Sequence, residues 1–93
     1  MSKPLHSEDY RAFLAMLRAT REVQGISQAQ LAALLEQDQS YVSKCETGIR
    51  RLDVIELRPW LAALGFNLMD FTEALEERLA SRLRQTKPRL RRR

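Results

Sequence analysis

Between Gly25 and Gly48 the chain has room for two short helices and little else. Ser27 is followed three residues later by Gln30, a pairing in which each side chain caps the other's backbone amide, so a helix begins at Gln28. It is short, reaching about Leu35. It turns Leu31, Leu34 and Leu35 inward, and Ala32 and Ala33 leave space for a close neighbour. Asp38 is the next N-cap, and a further helix runs from Gln39 to about Thr47, where Gly48 stops it. On that helix Val42 and Cys45, three apart, face inward, which leaves Gln39, Ser40, Ser43 and Lys44 facing away.

Two short helices joined this tightly, the first alanine-rich where it packs, describe a helix-turn-helix unit. The outward face of the second helix carries amide, hydroxyl and ammonium groups and no acid. A merely solvated face usually mixes both charge signs, whereas these groups suit base edges and phosphates.

The flanking sequence supplies three more helices. Ser7, followed by Glu8 and Asp9, reads as an N-cap with acids in the first turn, opening a helix from about Glu8 to Gln24 with Tyr10, Phe13, Leu14 and Leu17 on one stripe and Gly25 as its stop. Asp53 caps a helix reaching about Leu64 and closed by Gly65. Pro59 inside it predicts a bend or a late start at Leu57. Asn67 caps a fifth helix from Leu68 to about Arg84, whose stripe of Leu68, Phe71, Leu75, Leu79 and Leu83 is longer than one small core needs. Residues 85–93 have nothing to bury and are expected to be a disordered basic tail.

With 93 residues, 44% of them hydrophobic, the chain supports one compact domain. So small a core is marginal alone and would gain from association with a second copy. Residues 1–77 hold eight basic groups and all twelve acids, while residues 78–93 hold eight basic groups and no acid, so the excess positive charge belongs to the C-terminal segment. Such a segment suits a polyanion, nucleic acid or an anionic membrane surface; with no interleaved aromatics the membrane is the weaker fit.

Cys45 and His6 each stand alone, so neither an intrachain disulfide nor a Cys/His metal set is expected. No nucleophile–base pair or phosphate-binding glycine loop is visible, and no enzyme activity or cofactor is expected. The longest apolar runs, Leu31–Leu35 and Trp60–Leu64, are five residues each, and no export signal opens the chain, so a cytoplasmic protein is expected.

The string Ile26-Ser27-Gln28-Ala29-Gln30-Leu31-Ala32, followed by Ser40 through Gly48 and by Arg50-Arg51-Leu52-Asp53, closely resembles the Cro/lambda-repressor-like, XRE-type helix-turn-helix family over roughly residues 10–75. The resemblance implies an all-α, five-helix lambda-repressor-like domain over residues 1–84, with the helix-turn-helix at about 28–47, an extended C-terminal helix and a basic tail. It also implies a sequence-specific double-stranded DNA-binding regulator, commonly a homodimeric repressor on a two-fold symmetric operator.

Position by position, Gln39, Ser40 and Lys44 fall at the family's base-reading positions, and Gln28, Arg50 and Arg51 at positions that touch the DNA backbone. Ser43 and Tyr41 suit phosphate oxygens, with packing on the domain rim an equal alternative for Tyr41. Arg21 and Glu46 match a structural ion pair bridging the first helix to the end of the third. Glu36 falls where the family often has a left-handed glycine. A non-glycine residue there costs about 1–2 kcal/mol, so a longer or differently shaped turn is expected. Dimer contacts are expected from Phe71, Leu75, Leu79 and Leu83, with completion of the monomer core by the fifth helix as the alternative, and Trp60 is expected either in the core or at that interface. The competing reading is an antitoxin or adaptor that holds a protein partner with the fifth helix and binds DNA secondarily.

Overall fold

The computed structural model describes residues 7–86, and among them every regular element is helical: α1 Glu8–Val23, α2 Gln28–Leu35, α3 Gln39–Thr47, α4 Val54–Ala63 and α5 Leu68–Thr86. The caps follow the local sequence chemistry. Ser7 accepts from the Tyr10 amide, Ser27 and Gln30 form the reciprocal capping box, and the Asn67 side chain accepts from the Asp70 amide at 2.8 Å. Asp38 takes the extended N-cap backbone without a side-chain capping bond.

Of the alternatives that Pro59 suggested, the late start does not occur, because the helix does not wait for Leu57. It starts at Val54, fixed by a second capping box in which Asp53 and Glu56 exchange side-chain-to-amide bonds, and it continues through Pro59. The proline removes the amide that would have met the Ile55 carbonyl. Ile55 is exposed, so water can take that place.

The turn between α2 and α3 also departs from expectation. Glu36 adopts the left-handed conformation itself, at φ 59° and ψ 43°, and is the one non-glycine residue with positive φ among the described residues. The Glu36 amide donates to the Ala33 carbonyl and the Gln37 amide to the Ala32 carbonyl. Gly25 and Gly65 close α1 and α4 with the same pair of bonds. The turn is therefore neither lengthened nor reshaped, and Glu36 carries the strain that glycine would avoid.

One core joins all five helices. α2 packs on α3 and α4, α1 on α3 and α5, and α4 on α5. Phe13 and Leu17 of α1, Leu31 and Ala32 of α2, Val42 and Cys45 of α3, Leu57, Trp60 and Leu61 of α4, and Phe71 of α5 are buried together. Of the residues named for a dimer contact, Trp60 and Phe71 take the core alternative instead. Trp60 is 0% exposed and Phe71 3%, with the Phe71 ring meeting Phe13 edge-on at 6.0 Å, so both complete the monomer core. Leu75 is half-buried against that core and Leu79 is half-buried further along α5. Gln85 and Thr86, expected in the tail, are the last residues of α5. Residues 87–93 of the expected tail lie outside the described residues. Among the described residues no helix is long and apolar enough to cross a membrane.

Candidate nucleic-acid interface

α3 is held by its inner face and offers its outer face to solvent. Val42 and Cys45 are fully buried, while Gln39, Ser40 and Lys44 are exposed and Ser43 is half-buried. The expected inward and outward sets are thus separated on one short helix. The thiol of Cys45 is pushed above its usual range by burial, which favours a packing role over reactivity.

The far end of α3 is fixed by Glu46, whose carboxylate is fully buried. Arg21 Nε donates to Glu46 Oε2 at 2.7 Å and a second guanidinium nitrogen donates to Oε1 at 3.0 Å, a bidentate pair between α1 and α3. A third donor of Arg21 reaches the Ile26 carbonyl at 2.8 Å, so the same side chain also sets the approach to α2. Hydrogen bonding to Glu46 raises the Arg21 pKa further above its ordinary value.

Gln28 connects this buried pair to the exposed face. Its Nε2 donates to Glu46 Oε1 at 3.0 Å, and its Oε1 accepts a long 3.5 Å contact from Gln39 Nε2. The residue at the first position of α2 thereby touches both ends of one flank of α3. The Gln39 carboxamide thus touches a neighbour that is itself anchored on Glu46.

The two loop arginines are not free cations. Arg50 makes two bonds to the Glu56 carboxylate, at 2.8 and 3.3 Å, and its guanidinium lies 5.0 Å from the centre of the Tyr41 ring. The same pairing holds the Glu56 carboxyl below its usual range. Arg51 stacks 4.1 Å over Tyr10, whose hydroxyl accepts from the Leu52 amide, so the α3–α4 loop is tied to α1. Tyr41 is half-buried, with its ring 6.0 Å from that of Trp60, and burial pushes its phenol above the ordinary value. Rim packing is what the geometry gives Tyr41.

Two participants escaped the reading of the sequence. Glu56 sits three residues after Asp53, the spacing of a capping box, and that pattern was sufficient to place it. Arg18 lies one turn before Arg21 on α1, and its position beside Glu46 follows only from the tertiary packing.

A family model described as a helix-turn-helix domain matches residues 10–75. No curated protein matches the chain. Among solved structures, an XRE-family like protein from Pseudomonas syringae pv. tomato str. DC3000 is similar at 40% sequence identity and a TM-score of 0.74, over 77% of this chain and 88% of that one.

Proposed function

Since the chain belongs to the XRE-type helix-turn-helix family of DNA-binding regulators, we propose that it reads a specific double-stranded DNA sequence with α3 and acts as a dimeric repressor on a two-fold symmetric operator. The observation that carries this reading is the acid-free exposed face of Gln39, Ser40 and Lys44, backed by Gln28 and the buried Arg21–Glu46 pair.

The chemistry assigns separate tasks. Gln39 presents a donor and an acceptor in the spacing that matches adenine N7 and N6, Lys44 donates to guanine O6 or N7, and Ser40 discriminates poorly. Gln28 and Ser43 serve phosphate oxygens, which set register without reading letters. Arg51 and Arg50 extend the backbone contacts along the loop, Arg50 after exchanging Glu56 for a phosphate.

One α3 reads only a few base pairs, so two copies presenting their reading helices about 34 Å apart would engage successive major grooves. With Trp60 and Phe71 in the core, the dimer contact falls to Leu75 and Leu79; the side chain of Leu83, also expected there, lies outside the described residues. Sedimentation showing a monomer at micromolar concentration together with tight binding to a half-site would refute the dimer.

The test of base reading is selection of bound duplexes from a random pool, followed by Lys44→Ala. A base contact predicts a changed preference at one position, worth about 1–3 kcal/mol. An equal loss on every sequence would make Lys44 a phosphate contact, and indifference of the wild type to sequence would overturn the regulator reading.

A further inference from the structure

Arg18 is a cation beside a carboxylate whose charge is already met. Its side chain is 55% exposed, and its Nε lies 3.8 Å from Glu46 Oε1 and 3.9 Å from Glu22 Oε2. Both separations are too long for hydrogen bonds. The Glu46 oxygen it approaches accepts from Arg21 and from Gln28, each at 3.0 Å. The closed bidentate pair with Arg21 uses the Glu46 charge, and what remains for Arg18 is an exposed i,i+4 neighbour, Glu22, of the kind that contributes little.

Its placement relative to α3 gives this spare charge a direction. Gln39, Ser43 and Glu46 lie four and three residues apart and share one flank of the helix. Gln28 touches the two ends of that flank, Gln39 and Glu46, and Arg18 approaches it at Glu46. Arg18 and Gln28 thus approach the same Glu46 oxygen, so a sugar–phosphate strand laid against Gln28 would pass next to the Arg18 guanidinium.

We propose that Arg18 is a DNA-phosphate contact, continuing the line of Gln28 and Ser43 and giving up its loose approach to Glu22 when duplex arrives. This rests on reading the α2–α3 face as duplex-binding, and it adds a residue of α1 to that face. The mechanism is electrostatic: a guanidinium meeting a phosphate releases a condensed counterion, whatever the base sequence.

The experiment compares wild type, Arg18→Gln and Arg18→Lys by anisotropy titration of a selected duplex and a scrambled duplex of equal length and composition, over a series of KCl concentrations. Arg18→Gln is expected to lower the slope of log K against log salt by about 0.9 and to weaken both duplexes by the same several-fold factor. Arg18→Lys keeps the slope, and both variants melt with the wild type. An unchanged slope in Arg18→Gln overturns the assignment, as does a loss confined to the selected duplex. A drop in melting temperature that Arg18→Lys does not share also overturns it, by making Arg18 a support for Glu46. Absence of salt-dependent binding by the wild type to either duplex would instead remove the DNA-binding reading on which the assignment stands.

Discussion

Arg21 and Glu46, 25 positions apart in sequence, meet through two hydrogen bonds of 2.7 and 3.0 Å with almost no exposure of either side chain. Each charge is tolerable inside because the other is there, so the single and double substitutions should behave very differently. Arg21→Met strands a buried carboxylate and is expected to remove about 3–5 kcal/mol of folding stability. Arg21→Met combined with Glu46→Leu should recover most of that loss. It should not recover duplex affinity, because Gln28, assigned to phosphate, will have lost the acceptor that orients it, and that loss should fall alike on every sequence. Urea unfolding and duplex competition measure the two effects separately; a double variant as unstable as Arg21→Met would mean that the pair adds more than mutual neutralisation.

Glu36 occupies a backbone conformation that L residues avoid, without a change of turn shape to relieve it. Glu36→Gly should relieve about 1–2 kcal/mol of strain and return part of it through the freer unfolded chain, for a net gain of about 0.5–1 kcal/mol. For a domain of this size that is a rise of about 2–8 °C in melting temperature. Glu36→Ala keeps a Cβ in the same conformation and should melt near the wild type. A Glu36→Gly variant that melts lower would show the carboxylate making a compensating contact.

The contrast between Glu36 and the Arg21–Glu46 pair marks how far the sequence could be read. Helix starts and stops are local chemistry, and Ser27 with Gln30 placed α2 while Gly48 placed the end of α3. Inward positions on α3 followed from the three-residue spacing of Val42 and Cys45. Long-range geometry was harder. The α5 stripe could face the chain's own core or a second copy, and nothing in its periodicity separates Phe71, which is buried, from Leu79, which is half-exposed. Trp60 was ambiguous for the same reason. Which arginine is free, and which is occupied by a carboxylate, depends on where loops and helices meet in space. Arg50, expected on the DNA backbone, is thus held by Glu56, while Arg18, to which the sequence assigned no role, lies beside Glu46.

Trp60 is wholly buried, and its indole Nε1 has no hydrogen-bond partner among the described residues. An unpaired buried donor costs about 1–3 kcal/mol, and Trp60→Phe removes it while leaving a smaller ring in the same space. The cavity and the relieved donor oppose each other, so Trp60→Phe should lie much closer to the wild type than Trp60→Ala, for which about 3–5 kcal/mol is expected. As a core residue Trp60 should also be indifferent to association, so Trp60→Phe should sediment as the wild type does. A variant that folds but dissociates would put the indole at an interface after all.

Arg50 and Glu56 set an acid limit and a competition. The Glu56 carboxyl is held below its usual range, first by hydrogen bonding to Arg50 and then by its bond to the Asp53 amide. A carboxyl with a depressed folded-state pKa contributes stability that is complete above its unfolded value, about pH 4.3, and is lost as pH falls through the lower folded value. Glu56→Gln retains the capping geometry, since glutamine serves at that position, but removes the charge. The variant should therefore be slightly less stable than the wild type at neutral pH, and the difference should close below about pH 4.3. The same substitution frees Arg50 for phosphate and is expected to tighten binding several-fold on every duplex. In the Arg50→Gln background the gain should vanish, which a double-mutant cycle at one salt concentration reads directly. A gain that survives without Arg50 would assign it to the general loss of negative charge and take Arg50 off the list of backbone contacts.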